Sequence, residues 1–484
     1  MAIHISACRK SPAADPLEEE MQRRENLYRQ YALDARQHLD MLLGNMTESD
    51  KADSICRQYY LGGGQWMWMG SPRQLPLCDA LDSVLHTAIP AICFSTAAFG
   101  LNDIRHGLDG IHQPDSVADL PQTLATLELA LTRAYLRFTA GQRFGFTNPR
   151  KLFDKDSYDI EMEQPDSAFT RQAMLMQQTI PNLVKFVNEA EPSDTAYQQL
   201  KRQLPLDSTA EARQLILCNM ERLRWRNKKH PDEAQRYIFV NIASQQLWAI
   251  GPDSVINMRI CCGKPSTKTP LLSSDITSIQ VNPEWGIPQS IIRGEVSSHA
   301  GDSAYFARRN YYITDRKGER VDPRSLTSSQ LSSGGYSVRQ RSGAGNSLGR
   351  IIFRFPNRFS VYLHDTSTPS AFKNDRRTVS HGCVRLQRPF DIAEFVLPEA
   401  DEWLLDKMRL SMDLKPKTQQ GIDYRQKNTG AIRLVSRTDV SPSVPVLIDY
   451  YTLYPNPKTG KLDHWADLYG YDKILLNAIK PFIP

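Results

Sequence analysis

The sequence predicts an α+β protein, a helical N-terminal scaffold followed by a β-rich domain, and three observations carry that assignment. Apolar residues recur at three- and four-residue spacing over 21–46 and again over 120–144, as in Leu127, Leu129, Leu131, Tyr135, Leu136 and Phe138. After Asn227-Lys-Lys-His-Pro the pattern turns abruptly to short β-branched and aromatic runs. Between 293 and 349 lies a segment rich in Ser, Gly and Arg, too long for an ordinary connection and therefore expected to be a capping loop or lid.

Taken in order, residues 1–20 read as a tether and 21–230 as the helical domain, closing with a helix over 210–226. Trp66, Trp68, Tyr59 and Tyr60 fall among shorter helical pieces and are expected in its core, because nothing catalytic accompanies them. Residues 235–484 form the second domain. Strands are expected over 237–242, 246–250, 255–262, 278–281, 351–355, 360–363 and 446–451, with one helix over 390–410.

Composition narrows the function. The 484 residues carry 59 Lys plus Arg against 54 Asp plus Glu, a net charge of +5, with 40% hydrophobic and 23% charged residues. That is ordinary globular composition, and the charges are interspersed rather than run together, which argues against a dedicated nucleic-acid surface. The best apolar window, 85–101, is interrupted by His86, Pro90 and Ser95, so a membrane-spanning helix is not expected. Eight cysteines without a CxxC pair fit neither a zinc ribbon nor a disulfide framework. Cys261 and Cys262 read as buried small residues, since bridging adjacent residues strains the ring.

The N-terminus supports two readings of location. Met1 to Ala7 is too short for a secretory signal, which taken literally implies the cytoplasm. Ile5-Ser6-Ala7-Cys8, however, resembles a lipobox, which implies a lipid anchor at Cys8 and a signal beginning further upstream.

The chemistry concentrates in residues 360–386, which place His364 at a predicted strand end and, one loop later, Ser380-His381-Gly382-Cys383. A cysteine nucleophile requires a neighbouring base and N–H donors aimed at the developing oxyanion, and this segment supplies candidates for all of these. Gly382 permits a tight turn before Cys383, and Asp365 stands beside the candidate base. Three roles are open to His381: sharing the base function, supporting the site by hydrogen bonding, or capping the loop. His364, His381 and Cys383 supply only three metal ligands with no fourth at a familiar spacing, so no metal is expected.

This pattern, a His followed by Ser/Thr-His-Gly-Cys, resembles the signature of the YkuD-type L,D-transpeptidases. The resemblance extends to Gly263-Lys-Pro-Ser-Thr-Lys-Thr-Pro and Asn282-Pro-Glu-Trp-Gly-Ile-Pro, and the helical half is similar to the scaffold of the long periplasmic subgroup through Leu129-Ala-Leu-Thr-Arg-Ala-Tyr and Asn148-Pro-Arg-Lys-Leu. Two departures stand out. Arg385 occupies the place where shorter members carry Asn. No peptidoglycan-binding module separates Gln203-Leu-Pro-Leu from Thr209-Ala-Glu-Ala-Arg.

The resemblance implies a YkuD-like catalytic domain with a capping insertion, acting on peptidoglycan stem peptides without cofactor. Cys383 would form a thioester with a tetrapeptide donor, His364 would act as base, and a diamino-acid amine would resolve the thioester into a 3→3 cross-link. Gly382 and Cys383 N–H groups would form the oxyanion hole, while Arg385, Ser380, Tyr362 and Trp285 would contact substrate. Carbapenem-type β-lactams are the expected covalent inhibitors, and the substrate implies the periplasm or cell envelope. An L,D-carboxypeptidase or stem-peptide hydrolase using the same cysteine, and an inactive wall-binding scaffold, are the alternatives.

Overall fold

The computed structural model describes residues 15–484 apart from 207, 208 and 230; Cys8 and most of the expected tether lie outside the described residues. The chain divides into two compact units, Met1–Asn148 with Met162–Arg226 and Lys473–Pro484, and Pro149–Glu161 with Asn227–Asp472.

The first unit is helical: α1 Pro16–Asn45, α2 Lys51–Leu61, α3 Leu75–Ala88, α4 Leu101–Ile111, α5 Leu120–Phe144, α6 Ser167–Met176, α7 Ile180–Glu189, α8 Thr195–Gln203 and α9 Ala210–Arg224. Helix α1 begins inside the expected tether, because Asp15 caps it by accepting the Leu17 N–H at 3.0 Å and Pro16 opens its first turn. Helix α5 is buried along most of its length and packs against α1 to α4. Trp68 and Tyr60 are fully buried against it, as expected of core aromatics.

A carboxylate organises that core. Glu128 on α5 accepts the N–H groups of Met67, Trp68 and Met69 at 2.6, 2.9 and 2.8 Å and the Tyr60 hydroxyl. It satisfies the irregular segment after α2 as a backbone partner would. Burial raises the Glu128 carboxyl above its usual range despite these donors.

The second unit contains β1 Tyr158–Asp159, β2 Tyr237–Asn241, β3 Gln246–Ile250, β4 Val255–Gly263, β5 Leu271–Val281, β6 Trp285–Gly286, β7 Tyr311–Thr314, β8 Arg320–Val321, β9 Ser337–Gln340, β10 Ile351–Arg354, β11 Leu363–His364, β12 Thr378–Ser380, β13 Val384–Leu386 and β14 Arg437–Asp449. Its main sheet closes on itself in the order β5-β10-β11-β13-β4-β3-β2-β14 and back to β5. The ring is mixed, with parallel pairing at β11–β13 and β2–β14. Closure removes the free edges of these eight strands. The continuous apolar runs in β2 and β3 fit the burial of most of both strands.

Four expectations are corrected. Residues 149–161 belong to the β-rich unit, because Tyr158 and Asp159 pair parallel with Leu271 and Leu272. Residues 473–484 join the helical unit, where Phe482 stacks on Phe94 at 5.7 Å and its carbonyl accepts the Ser95 N–H. The single helix over 390–410 is two, Pro389–Val396 and Glu402–Ser411, broken around Pro398 and restarted by the Asp401 cap. Strand 360–363 shrinks to β11, since Ser360 has φ +55°.

The segment expected as a capping loop over 293–349 is instead part of a folded insertion that begins earlier. Strands β6, β9, β7 and β8 form an antiparallel sheet over a core of Ile287, Ile292, Val296, Phe306, Leu331 and Val338. These apolar residues are dispersed among Ser, Gly and Arg, so neither a helical nor a strand period reveals them.

Replacing Glu128 by Ala would leave three buried N–H donors without their acceptor. Thermal unfolding of Glu128→Ala should show the helical unit destabilised by about 3 kcal/mol or more, whereas an unchanged transition contradicts the anchoring role.

Candidate active site

The motif around Cys383 is fixed from three directions. Arg377, buried in the loop before it, donates from Nε to the Ile260 carbonyl at 2.9 Å, from Nη1 to Asn374 and Asp375 carbonyls at 2.8 and 3.0 Å, and from Nη2 to Gln245 O at 3.0 Å. One planar guanidinium thus ties the loop to the β3–β4 region, a geometry that a lysine ammonium does not reproduce. From the loop after β4, the Lys264 N–H and the Thr267 hydroxyl both donate to the Ser380 carbonyl at 3.1 Å. Gly263 is required there, because a Cβ would meet the Thr267 carbonyl at 2.2 Å.

The third constraint is internal. The Ser380 hydroxyl donates to the Cys383 carbonyl at 2.6 Å and accepts the Gly382 N–H at 3.1 Å, closing a turn in which Gly382 has φ +122°. Ser380 is therefore a buried brace of the nucleophile turn rather than the substrate contact expected from sequence. The expected oxyanion pair is likewise reduced. Gly382 N–H already has an acceptor, while Cys383 N–H has none among the described residues.

His364 arrives through β11, whose parallel register sets Leu363 opposite Val384 and His364 opposite Arg385. The Val384 N–H donates to the Tyr362 carbonyl at 3.1 Å. Residues of like parity share a face of a sheet, so this register assigns His364 and Arg385 to one face and brings the segment carrying Cys383 alongside Tyr362. The imidazole is buried, and Nδ1 lies 3.3 Å from the Leu348 carbonyl. A ring nitrogen facing a carbonyl carries the proton, which leaves Nε2 with the free lone pair.

The imidazole is thus oriented by main-chain groups, Leu348 and the backbone of Asp365, both of which oppose the lowering of His364. The Asp365 side chain acts one step further out. Its Oδ2 accepts the Arg350 N–H at 2.9 Å, and it packs against Gly349, where a Cβ would lie 2.4 Å from Asp365 Cβ. Gly349 has φ +67°, and buried Asn346 accepts the Leu348 N–H at 2.8 Å. Asp365 therefore steadies the turn that presents Leu348 O, rather than binding the imidazole with its carboxylate.

The electrostatics define a neutral resting pair. Burial, with the Arg385 charge adding to it, lowers His364 to about 4. Burial raises the Cys383 thiol above its ordinary range, opposed by the Tyr362 backbone and by Arg385. Among the described residues no hydrogen bond joins the thiol to either imidazole; Sγ contacts the Ser360 carbonyl at 4.0 Å. At rest both groups are therefore uncharged. Arg385 keeps a buried Nε without a hydrogen-bond partner, and no ion pair engages it among the described residues.

The remaining candidates separate. His381 is exposed, and its Nε2 lies 2.7 Å from Glu295 Oε1 of the insertion. Tyr362 lies beneath the Arg354 guanidinium at 5.0 Å from its ring centre. Trp285 pairs with Gln340 and is partly buried against the insertion's core. Cys261 and Cys262 are fully buried in β4, and burial raises both thiols, Cys262 to about 12.

A thiol that leads into the strand paired with the one carrying a buried imidazole, on a turn whose Cys383 N–H has no acceptor among the described residues, offers the groups that acyl transfer uses. Comparison with known proteins decides the family of this domain: residues 235–411 match the L,D-transpeptidase catalytic domain, YkuD, and residues 53–204 match a scaffold domain. The chain carries a YkuD L,D-transpeptidase catalytic domain. It is also similar to a Haemophilus influenzae protein named "Putative L,D-transpeptidase", with 27% identity over 347 residues, 70% of this chain. The chain spans 64% of that relative's length.

The resting protonation state has a direct chemical readout. Alkylation of Cys383 by iodoacetamide should keep accelerating across about pH 7 to 9, with no plateau near neutrality, because the thiol is raised rather than lowered. A rate already maximal at about pH 6 would instead indicate a preformed thiolate.

Proposed function

We propose that this L,D-transpeptidase domain forms 3→3 cross-links between peptidoglycan stem peptides through a Cys383 thioester. The parallel pairing of β11 with β13 carries this reading, because it sets the base-bearing strand beside the strand that Cys383 leads into.

In the first step the thiol proton passes to His364 Nε2 as sulfur attacks the carbonyl of the donor's third residue. Nucleophile and base are both neutral at rest, so charge develops only as the substrate reacts. Leu348 O, accepting from Nδ1, stabilises the imidazolium that forms, in the place an aspartate takes in Ser-His-Asp triads. The Cys383 N–H faces the developing oxyanion, a single donor of this kind contributing about 3 kcal/mol. Arg385, with its unpaired buried Nε, supplies a cation for a donor carboxylate. Collapse expels the terminal D-alanine, which takes the proton from His364, and leaves the thioester. The side-chain amine of another stem peptide then resolves it.

This substrate places the protein in the periplasm or cell envelope, with lipidation at Cys8 as one means of anchorage. Hydrolysis of the same thioester would give an L,D-carboxypeptidase.

Purified protein incubated with disaccharide tetrapeptide should yield cross-linked dimers and free D-alanine, read by mass spectrometry. A carbapenem should add its mass to the wild type and not to Cys383→Ala. Tripeptide without dimer assigns the carboxypeptidase instead, and no adduct with no product assigns an inactive wall-binding scaffold.

A further inference from the structure

One polar pairing joins the insertion to the nucleophile turn and is not used by the acylation step. Glu295 lies in the π-helical stretch Ile292–Val296, and its Oε1 is 2.7 Å from His381 Nε2, two residues before Cys383. The side chains are 57% and 38% exposed, so the pair faces solvent rather than serving as a buried brace. Among the described residues no Lys or Arg pairs with Glu295. Its charge reaches the neighbouring Tyr311 hydroxyl, where it adds to the upward shift caused by burial.

The nucleophile is therefore bracketed along the chain by opposite charges. Among the described residues, Arg385, two residues after it, has a buried Nε without a hydrogen bond and no ion pair, while His381, two residues before it, holds a carboxylate whose second oxygen has no hydrogen bond. An acyl donor with a terminal carboxylate suits the first. The second suits a cation, and the reaction proposed above requires one: the acceptor's side-chain ammonium. Water, the competing acceptor, carries no charge.

We propose that Glu295, seated on His381, recognises the acceptor ammonium and so sets the balance between cross-linking and hydrolysis. This rests on the transpeptidase reading. The ammonium, held at the Glu295 carboxylate, loses one proton to solvent. The neutral amine nitrogen then bonds to the thioester carbonyl carbon and the C–S bond breaks. The second N–H proton passes through His364 to the departing sulfur, regenerating the thiol. His364, lowered to about 4, is a poor acceptor for the first proton, which leaves that role to groups outside the buried site.

The test uses the full chain with disaccharide tetrapeptide as donor and acceptor, and, in a parallel arm, hydroxylamine, an acceptor uncharged at neutral pH. Glu295→Gln should lower the ratio of dimer to tripeptide about tenfold, the scale of one lost charge-assisted contact. Glu295→Asp should recover part of it. The ratio of hydroxamate to tripeptide should match the wild type in both variants.

An unchanged dimer-to-tripeptide ratio in Glu295→Gln overturns the proposal, as does an equal fall in the hydroxamate ratio. Loss of all products together with carbapenem labelling of Cys383 assigns Glu295 to the fold of the insertion and likewise overturns it. A wild type that makes neither dimer nor tripeptide contradicts the transpeptidase reading itself.

Discussion

The site depends on one strand pairing. Leu363 and His364 lie parallel to Val384 and Arg385, and neither strand continues far enough to be stable alone. They persist because each is held on its other side, β11 by β10 and β13 by β4, within a ring that closes through β5 and β14. The ring turns two short segments into fixed supports. His364 and the segment that Cys383 leads into, separated by a loop in sequence, thereby become neighbours across a ladder.

Around that pairing, backbone groups make many of the contacts that side chains make in cysteine enzymes. The Leu348 carbonyl orients the imidazole, the Cys383 N–H is the free donor, and the Ser360 carbonyl lies against the sulfur. Side chains work one layer out: Asp365 holds the Gly349–Arg350 turn, Ser380 closes the nucleophile turn, and Arg377 fixes the loop that delivers it. A neutral carbonyl stabilises an imidazolium less than a carboxylate does, which agrees with an imidazole that burial and Arg385 keep neutral.

The helical half, the switch to strands after 227 and the Ser-His-Gly-Cys turn were legible because each has a local signature: period, composition or motif. The braces were not. Arg377 stands in Asp-Arg-Arg-Thr and looks like any surface charge, although its guanidinium binds four carbonyls. Leu348 acts through its carbonyl, which no residue type reveals. The resemblance implies a substrate contact for Ser380, yet both of its hydrogen-bonding functions are used inside the turn. The insertion's core escaped detection because its apolar residues follow no period, and Glu295 because only the folded insertion brings it to His381.

At rest the imidazole, protonated on Nδ1, and the Cys383 thiol are both neutral. Nitrogen-15 NMR of the His364 ring measures this directly. Expected is a protonated Nδ1 and an unprotonated Nε2 throughout the neutral range, with imidazolium forming only as the pH nears about 4. An imidazolium at neutral pH that vanishes in Cys383→Ser would contradict it.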